Sequence, residues 1–150
     1  MTTPMFELTP ISAEAASALR RQDGIRYVAD VQPGFPCRRC LRDAEVGEEL
    51  ILVSHDPFTH DTPYRSASPI FLHSSPCTPA VEPDELPSQL TIRQLSVRSF
   101  DQDEMMIDAA VIDGSELGDT INMFFESEAS VELHVHNATR GCFAASVRRR

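Results

Sequence analysis

Apolar and polar residues fall along the chain in short runs, and these predict short elements. Phe6 to Ile11 reads as a strand. Ser12 is placed to cap a helix over Ala13 to Gln22, a stretch rich in alanine. Ile25 to Val31 reads as a strand, ended by the turn Gln32-Pro33-Gly34-Phe35-Pro36. In Glu49 to His55 the run Leu50-Ile51-Leu52-Val53 predicts a strand buried on both faces. Asp56 to Pro69 holds Pro57, Pro63 and Pro69 around Phe58 and Tyr64, and predicts an ordered surface loop whose aromatic rings need a packing partner. Loops of this length are often functional. Ile70 to His73 is a further short strand, and the proline-rich acidic stretch Ser74 to Pro87 is expected to be mobile.

Leu90 to Phe100 and Met105 to Asp113 predict a hairpin, with Asp101, Asp103 and Glu104 in a hydrated tip. Ser115 opens a helix to about Ser127 that presents Leu117, Ile121, Phe124 and Phe125 on its apolar face. Val131 to His136 and Cys142 to Val147 form a last hairpin. Strand alternation places Val131, Leu133 and Val135 on one face and Glu132, His134 and His136 on the other. With Asn137 to Gly141 as the loop, His136 pairs with Cys142, so that His134, His136 and Cys142 cluster away from the core; a slip of one residue would break that cluster. The order of elements predicts an α+β protein, a mainly antiparallel sheet with two helices, in a single domain over 1–150.

A chain of 150 residues can build a full core, burying about 68–70% of its unfolded surface, so the cysteines are not needed as staples. The net charge is −10, and every basic residue is an arginine. The acidic excess repels phosphate backbones, which argues against nucleic acid as a partner. The missing lysines remove Schiff-base chemistry. Arg148, Arg149 and Arg150 are expected to form a frayed, solvated tail. No apolar run approaches the roughly 18 residues that span a bilayer, and Met1 to Leu8 does not read as a signal peptide. The expectation is a cytoplasmic protein with reduced thiols and no membrane partner.

Thiols and imidazoles carry the candidate chemistry. Cys37 and Cys40 form a C-x-x-C pair, His73 and Cys77 an H-x-x-x-C pair, and His134, His136 and Cys142 lie together further on. Thiolate and imidazole ligands favour zinc. The C-x-x-C needs a second half, either His73 with Cys77 or the set His134, His136 and Cys142. Four protein ligands would close a structural site, whereas three plus water would make a catalytic one.

Two other readings stand beside zinc. Arg38, Arg39 and Arg42 favour thiolate, as in a thiol redox protein with Cys37 as nucleophile and Cys40 as resolving partner. Against this, Leu41 to Glu48 reads as a turn, not as the helix that follows a redox motif. Alternatively the thiols are buried packing in a protein-interaction module, since free cysteine behaves as a small hydrophobe. His134 and His136 would then line the wet face of a strand, and His55 and His60 would be solvated. There is no glycine-rich phosphate loop and no G-x-S-x-G elbow, so no enzyme class is assigned. Arg38, Tyr64 and Arg65 lie on loops, where they could recognise a small anionic ligand or the end of a peptide from a protein partner.

Several strings resemble a known family. They are Phe35-Pro36-Cys37-Arg38-Arg39-Cys40-Leu41, Gly47-Glu48-Glu49, Pro57-Phe58, Pro63-Tyr64, and Pro69-Ile70-Phe71-Leu72-His73 with Cys77, then Phe100-Asp101, Asp108-Ala109 and Gly141-Cys142-Phe143. Together they are similar to the bacterial family called domain of unknown function 1203, from about residue 35 to 147. Arg39 stands where many members are expected to have histidine, and Thr62 and Ser68 where glycines are expected. The resemblance implies a small soluble domain and no established activity. It points to Cys37, Cys40, His73, Cys77 and Cys142.

Overall fold

The structure is a computed structural model that describes residues 6–150. The segment used to argue against a signal peptide, Met1 to Leu8, therefore lies largely outside the described residues. The α+β expectation holds, with the strands divided between two antiparallel sheets. No helix among the described residues is long and apolar enough to cross a membrane.

Strand β1 (Phe6–Thr9) leads into helix α1 (Ala13–Arg20). The helix starts where predicted because the Ser12 hydroxyl accepts the Ala15 N–H at 3.1 Å, satisfying one of its open donors. Strands β2 (Ile25–Val28), β3 (Glu49–His55) and β4 (Ser68–His73) form a sheet in the order β2-β3-β4. Central β3 is continuously apolar because successive residues, Leu50 and Ile51, are both buried. Edge strand β2 stops at Val28 rather than Val31, and all its residues are exposed.

The remaining elements are α2 (Ser88–Thr91), β5 (Gln94–Phe100), β6 (Met106–Asp113), a 3-10 turn (Gly114–Glu116) running into α3 (Leu117–Phe124), β7 (Glu132–Asn137) and β8 (Phe143–Arg149). Their sheet has the order β1-β8-β7-β5-β6. One face packs under α3, where Leu117, Ile121, Phe124 and Phe125 meet Val97, Leu133, Val135 and Val147.

Two local expectations fail here. Leu90 belongs to the short helix α2, not to the strand, which starts at Gln94. One helical turn and a strand end bury a leucine equally well, so periodicity does not separate them. The C-terminal arginines are not a frayed tail. Phe6 pairs with Arg149 and Glu7 with Arg148, while the Arg149 guanidinium lies 4.9 Å over the Phe125 ring.

The opposite face of this sheet is not wet. His134 and His136 are both buried. The His134 ring lies 5.0 Å from Phe58, 4.7 Å from Phe100 and 5.5 Å from Phe143. The loop carrying Phe58 is ordered, as its aromatics required, and Glu104 pins it. That carboxylate accepts the N–H groups of Thr59 at 2.8 Å and His60 at 2.6 Å, and the Thr59 hydroxyl at 2.7 Å. Glu104 is therefore buried rather than part of a hydrated tip. Burial alone would raise its carboxyl, but the bonds from Thr59 and His60 prevail and hold it at about 2. The hairpin register also differs: a bulge between Val135 and His136 pairs His136 with Phe143, not with Cys142.

Candidate metal centre

The loop between β2 and β3 folds back on itself to aim two sulfurs inward. Pro36 bridges Asp43, and the Cys37 N–H donates to the Arg42 carbonyl at 3.0 Å. The Leu41 N–H donates to the Cys37 carbonyl at 3.1 Å, and Leu41 takes a left-handed φ of 61° that turns the chain after Cys40. The loop docks on β4 through the Arg38 N–H, which donates to the Phe71 carbonyl at 3.0 Å. His73 ends β4, and its N–H donates to Cys37 Sγ at 3.3 Å. Cys77 comes from the following loop, which Ala80 ties down by donating to the Cys40 carbonyl at 3.0 Å.

The result is a four-donor cluster of Cys37, Cys40, His73 and Cys77, with ligand atoms all within 4.8 Å of one another. Cys37 Sγ lies 3.7 Å from Cys77 Sγ, and Cys40 Sγ lies 3.5 Å from His73 Nδ1. A tetrahedral zinc with ordinary bond lengths sets two sulfurs about 3.8 Å apart, and a sulfur and a nitrogen about 3.6 Å apart. Two opposite edges of the cluster therefore have the lengths such an ion requires. The donor set fits a soft-to-borderline cation and could hold a metal.

The surroundings suit a centre of negative charge. His73 Nε2 meets Glu48 Oε1 at 3.1 Å, so the imidazole directs Nδ1 at the sulfurs and the other nitrogen at a carboxylate. Arg20 donates through Nε to the His73 carbonyl at 2.8 Å and approaches Cys77 Sγ at 3.7 Å through Nη2. Arg39 braces the loop, donating to the carbonyls of Cys77 at 3.3 Å and Ile11 at 3.0 Å. Where family members were expected to have histidine, this chain thus has a brace, and the four-donor set closes without it. Hydrogen bonds from Cys40 and Cys77 pull the Cys37 thiol down, while the neighbouring sulfurs of Cys37 and Cys40 push Cys77 up. Hydrogen bonds to Cys37 and Cys40 lift His73 to about 10.

The other predicted residues lie elsewhere. His134, His136 and Cys142 form no such ligand group among the described residues, because the bulge and the buried ring stack separate them. The second half of the candidate site is therefore His73 and Cys77. Arg38 turns its guanidinium away from the sulfurs, donating to the Phe143 carbonyl at 2.8 Å and the Pro36 carbonyl at 2.6 Å. Burial pushes this group below its ordinary value, with the Cys142 thiol opposing and Arg93 adding to the effect. Arg65 pairs with Asp56 at 2.8 Å, and Tyr64 packs 6.3 Å from the Phe100 ring. Glu48 and Arg20 were not singled out from sequence. Glu48 stands in the Gly47-Glu48-Glu49 string, which carried a signal, whereas nothing local marks Arg20.

Neither the curated proteins nor the solved structures contain a match to this chain. The family described as "Protein of unknown function (DUF1203)" matches residues 34–149, a span that holds every donor of the cluster, and the chain belongs to that family.

Proposed function

We propose that this is a zinc-binding protein whose centre, Cys37, Cys40, His73 and Cys77, is structural. The observation that carries the reading is the pair of opposite edges, 3.7 Å between sulfurs and 3.5 Å between sulfur and Nδ1, each with the length of a tetrahedral zinc edge. Four protein donors leave no position for water, which argues for a structural rather than a hydrolytic ion. Three thiolates and one neutral imidazole around a divalent ion carry one net negative charge, which Arg20 is placed to offset. The ion would join the loop after β2, the end of β4 and the loop after it.

The test is elemental analysis of protein purified without chelator or histidine tag, followed by X-ray absorption at the zinc edge. Near one zinc per chain with three sulfurs and one nitrogen is the expected result. No bound metal, with all thiols accessible to reagent, overturns it. A second reading rests on the same 3.7 Å approach of Cys37 and Cys77, which also suits a dithiol that oxidises to a disulfide. Packing alone is the weakest account, since three of the four cysteines converge.

A further inference from the structure

On the far side of the C-x-x-C turn the two sheets part around a cavity of about 960 Å³. This volume lies near the upper end of the roughly 300–1,000 Å³ typical of small-molecule sites. Its lining has two chemically distinct parts.

One part is aromatic. Tyr27, Phe35 and Phe71 form a contiguous wall, with ring centroids 5.3 Å, 5.6 Å and 6.4 Å apart. The other part is polar and centred on Arg38, which lines the cavity at 2% exposure. A buried charge normally has a counter-ion, because removing it from water unpaired is costly. Arg93, on the same cavity, follows that rule, holding Asp43 through two bonds of 2.6 Å and 3.0 Å. Arg38 does not. Among the described residues it pairs with no carboxylate: its guanidinium donates to the carbonyls of Phe143 and Pro36 through Nε and Nη1, and the Cys142 thiol stands beside it on the same cavity. Asn137 also lines the cavity, and its Oδ1 is buried without a hydrogen-bond partner.

We infer that this cavity is a binding site for a small aromatic carboxylate that also carries a hydrogen-bond donor. The carboxylate supplies the charge that Arg38 lacks, the ring lies against the wall of Tyr27, Phe35 and Phe71, and the donor meets Asn137 Oδ1. A charge-assisted bond to a buried guanidinium is stronger than its counterpart in water. With a net charge of −10 the protein as a whole repels anions, so this recognition is local. The site is separate from the thiol cluster, and the inference does not depend on a metal there.

The experiment titrates 3-(4-hydroxyphenyl)propionate into the ¹⁵N-labelled 150-residue chain with whatever metal it carries. Side-chain N–H signals of Arg38 and Asn137 are followed by NMR. Saturable shifts at both are expected. The carboxamide of the same compound should bind about tenfold more weakly or worse, and so should the acid to Arg38→Gln. Because Arg38 also braces two carbonyls, Leu52→Trp provides a second variant. It fills the cavity from β3 and should abolish binding while the Arg38 signal persists. No saturable shift in the unmodified protein overturns the assignment. So does equal affinity for acid and carboxamide, or undiminished binding by a folded Leu52→Trp variant.

Discussion

His73 and Glu48 face each other through Nε2 and Oε1 at 3.1 Å, while the other ring nitrogen, Nδ1, meets Cys40 Sγ at 3.5 Å. A carboxylate behind a ligating imidazole fixes its tautomer and orientation and makes it a better donor. Glu48→Gln should weaken zinc binding by about 10–100-fold without removing a ligand. Competition with a chromophoric chelator measures this, and an unchanged affinity would sink the assigned role of Glu48.

Ligand removal should separate the four clustered residues from Cys142. A metal that binds only the folded state adds about 4 kcal/mol when free zinc exceeds its Kd roughly a thousandfold. For a chain of this size that corresponds to a rise in Tm of about 8–16 °C. Cys40→Ser should abolish the zinc-dependent rise in a melting experiment, and Cys142→Ser should keep it. Equal loss in both variants would contradict the ligand set.

Oxidation should also follow geometry rather than sequence spacing. In protein stripped of metal, peroxide should join Cys37 to Cys77, whose sulfurs are 3.7 Å apart, in preference to the sequence neighbours Cys37 and Cys40. Two thiols lose two protons and two electrons, and the peroxide is reduced to water. Peptide mapping identifies the pair, and bound zinc should slow the reaction. A predominant Cys37–Cys40 disulfide would show that the cluster rearranges once its protons or metal leave.

Stability should fall on mild acidification. Burial lowers the His136 imidazole from its ordinary 6.5 to about 4, so between those values the unfolded chain binds a proton that the folded chain does not. The contribution is full above about pH 6.5, declines as pH drops, and levels off below about pH 4, for a total of roughly 3 kcal/mol. His55, also lowered mainly by burial, acts in the same sense. Glu104 extends the decline into stronger acid: its stabilisation is present above the ordinary glutamate value of 4.5 and is lost as pH falls towards about 2. Denaturant titrations from pH 7 to pH 4 should show a smaller slope in His136→Gln than in the unmodified protein. An identical slope would mean that His136 is not the group responsible.

Much of the fold was legible because its strands are short and bounded by turn residues. The runs Glu49 to His55 and Met105 to Asp113 emerge almost residue for residue as β3 and β6. The C-x-x-C and H-x-x-x-C pairs were visible as spacing. The choice between two second halves was not, because it depends on docking β4 against the loop before β3. The Arg20 contact spans 57 positions and the Glu48 contact 25, distances over which a local pattern carries no information. His134 and His136 were misjudged for a related reason. Alternation assigns them to one face, but only the tertiary position of Phe58 decides whether water reaches that face.

The bulge between Val135 and His136 makes the length of one surface connection chemically consequential. It leaves the Phe143 ring among the buried histidines, while Cys142, the residue before it, lines the cavity beside Arg38. Surface turns usually absorb an inserted or deleted residue at little cost. Here a single insertion or deletion between Asn137 and Cys142 that shifts the strand that follows by one position would change what each compartment holds. An insertion would bring the Cys142 thiol to the place of Phe143 in the ring stack, whereas a deletion would bring the Phe143 ring to the place of Cys142 in the arginine's chamber. The span of this turn is therefore a specification for both rooms at once, and an engineered variant should keep its length even where it changes every side chain.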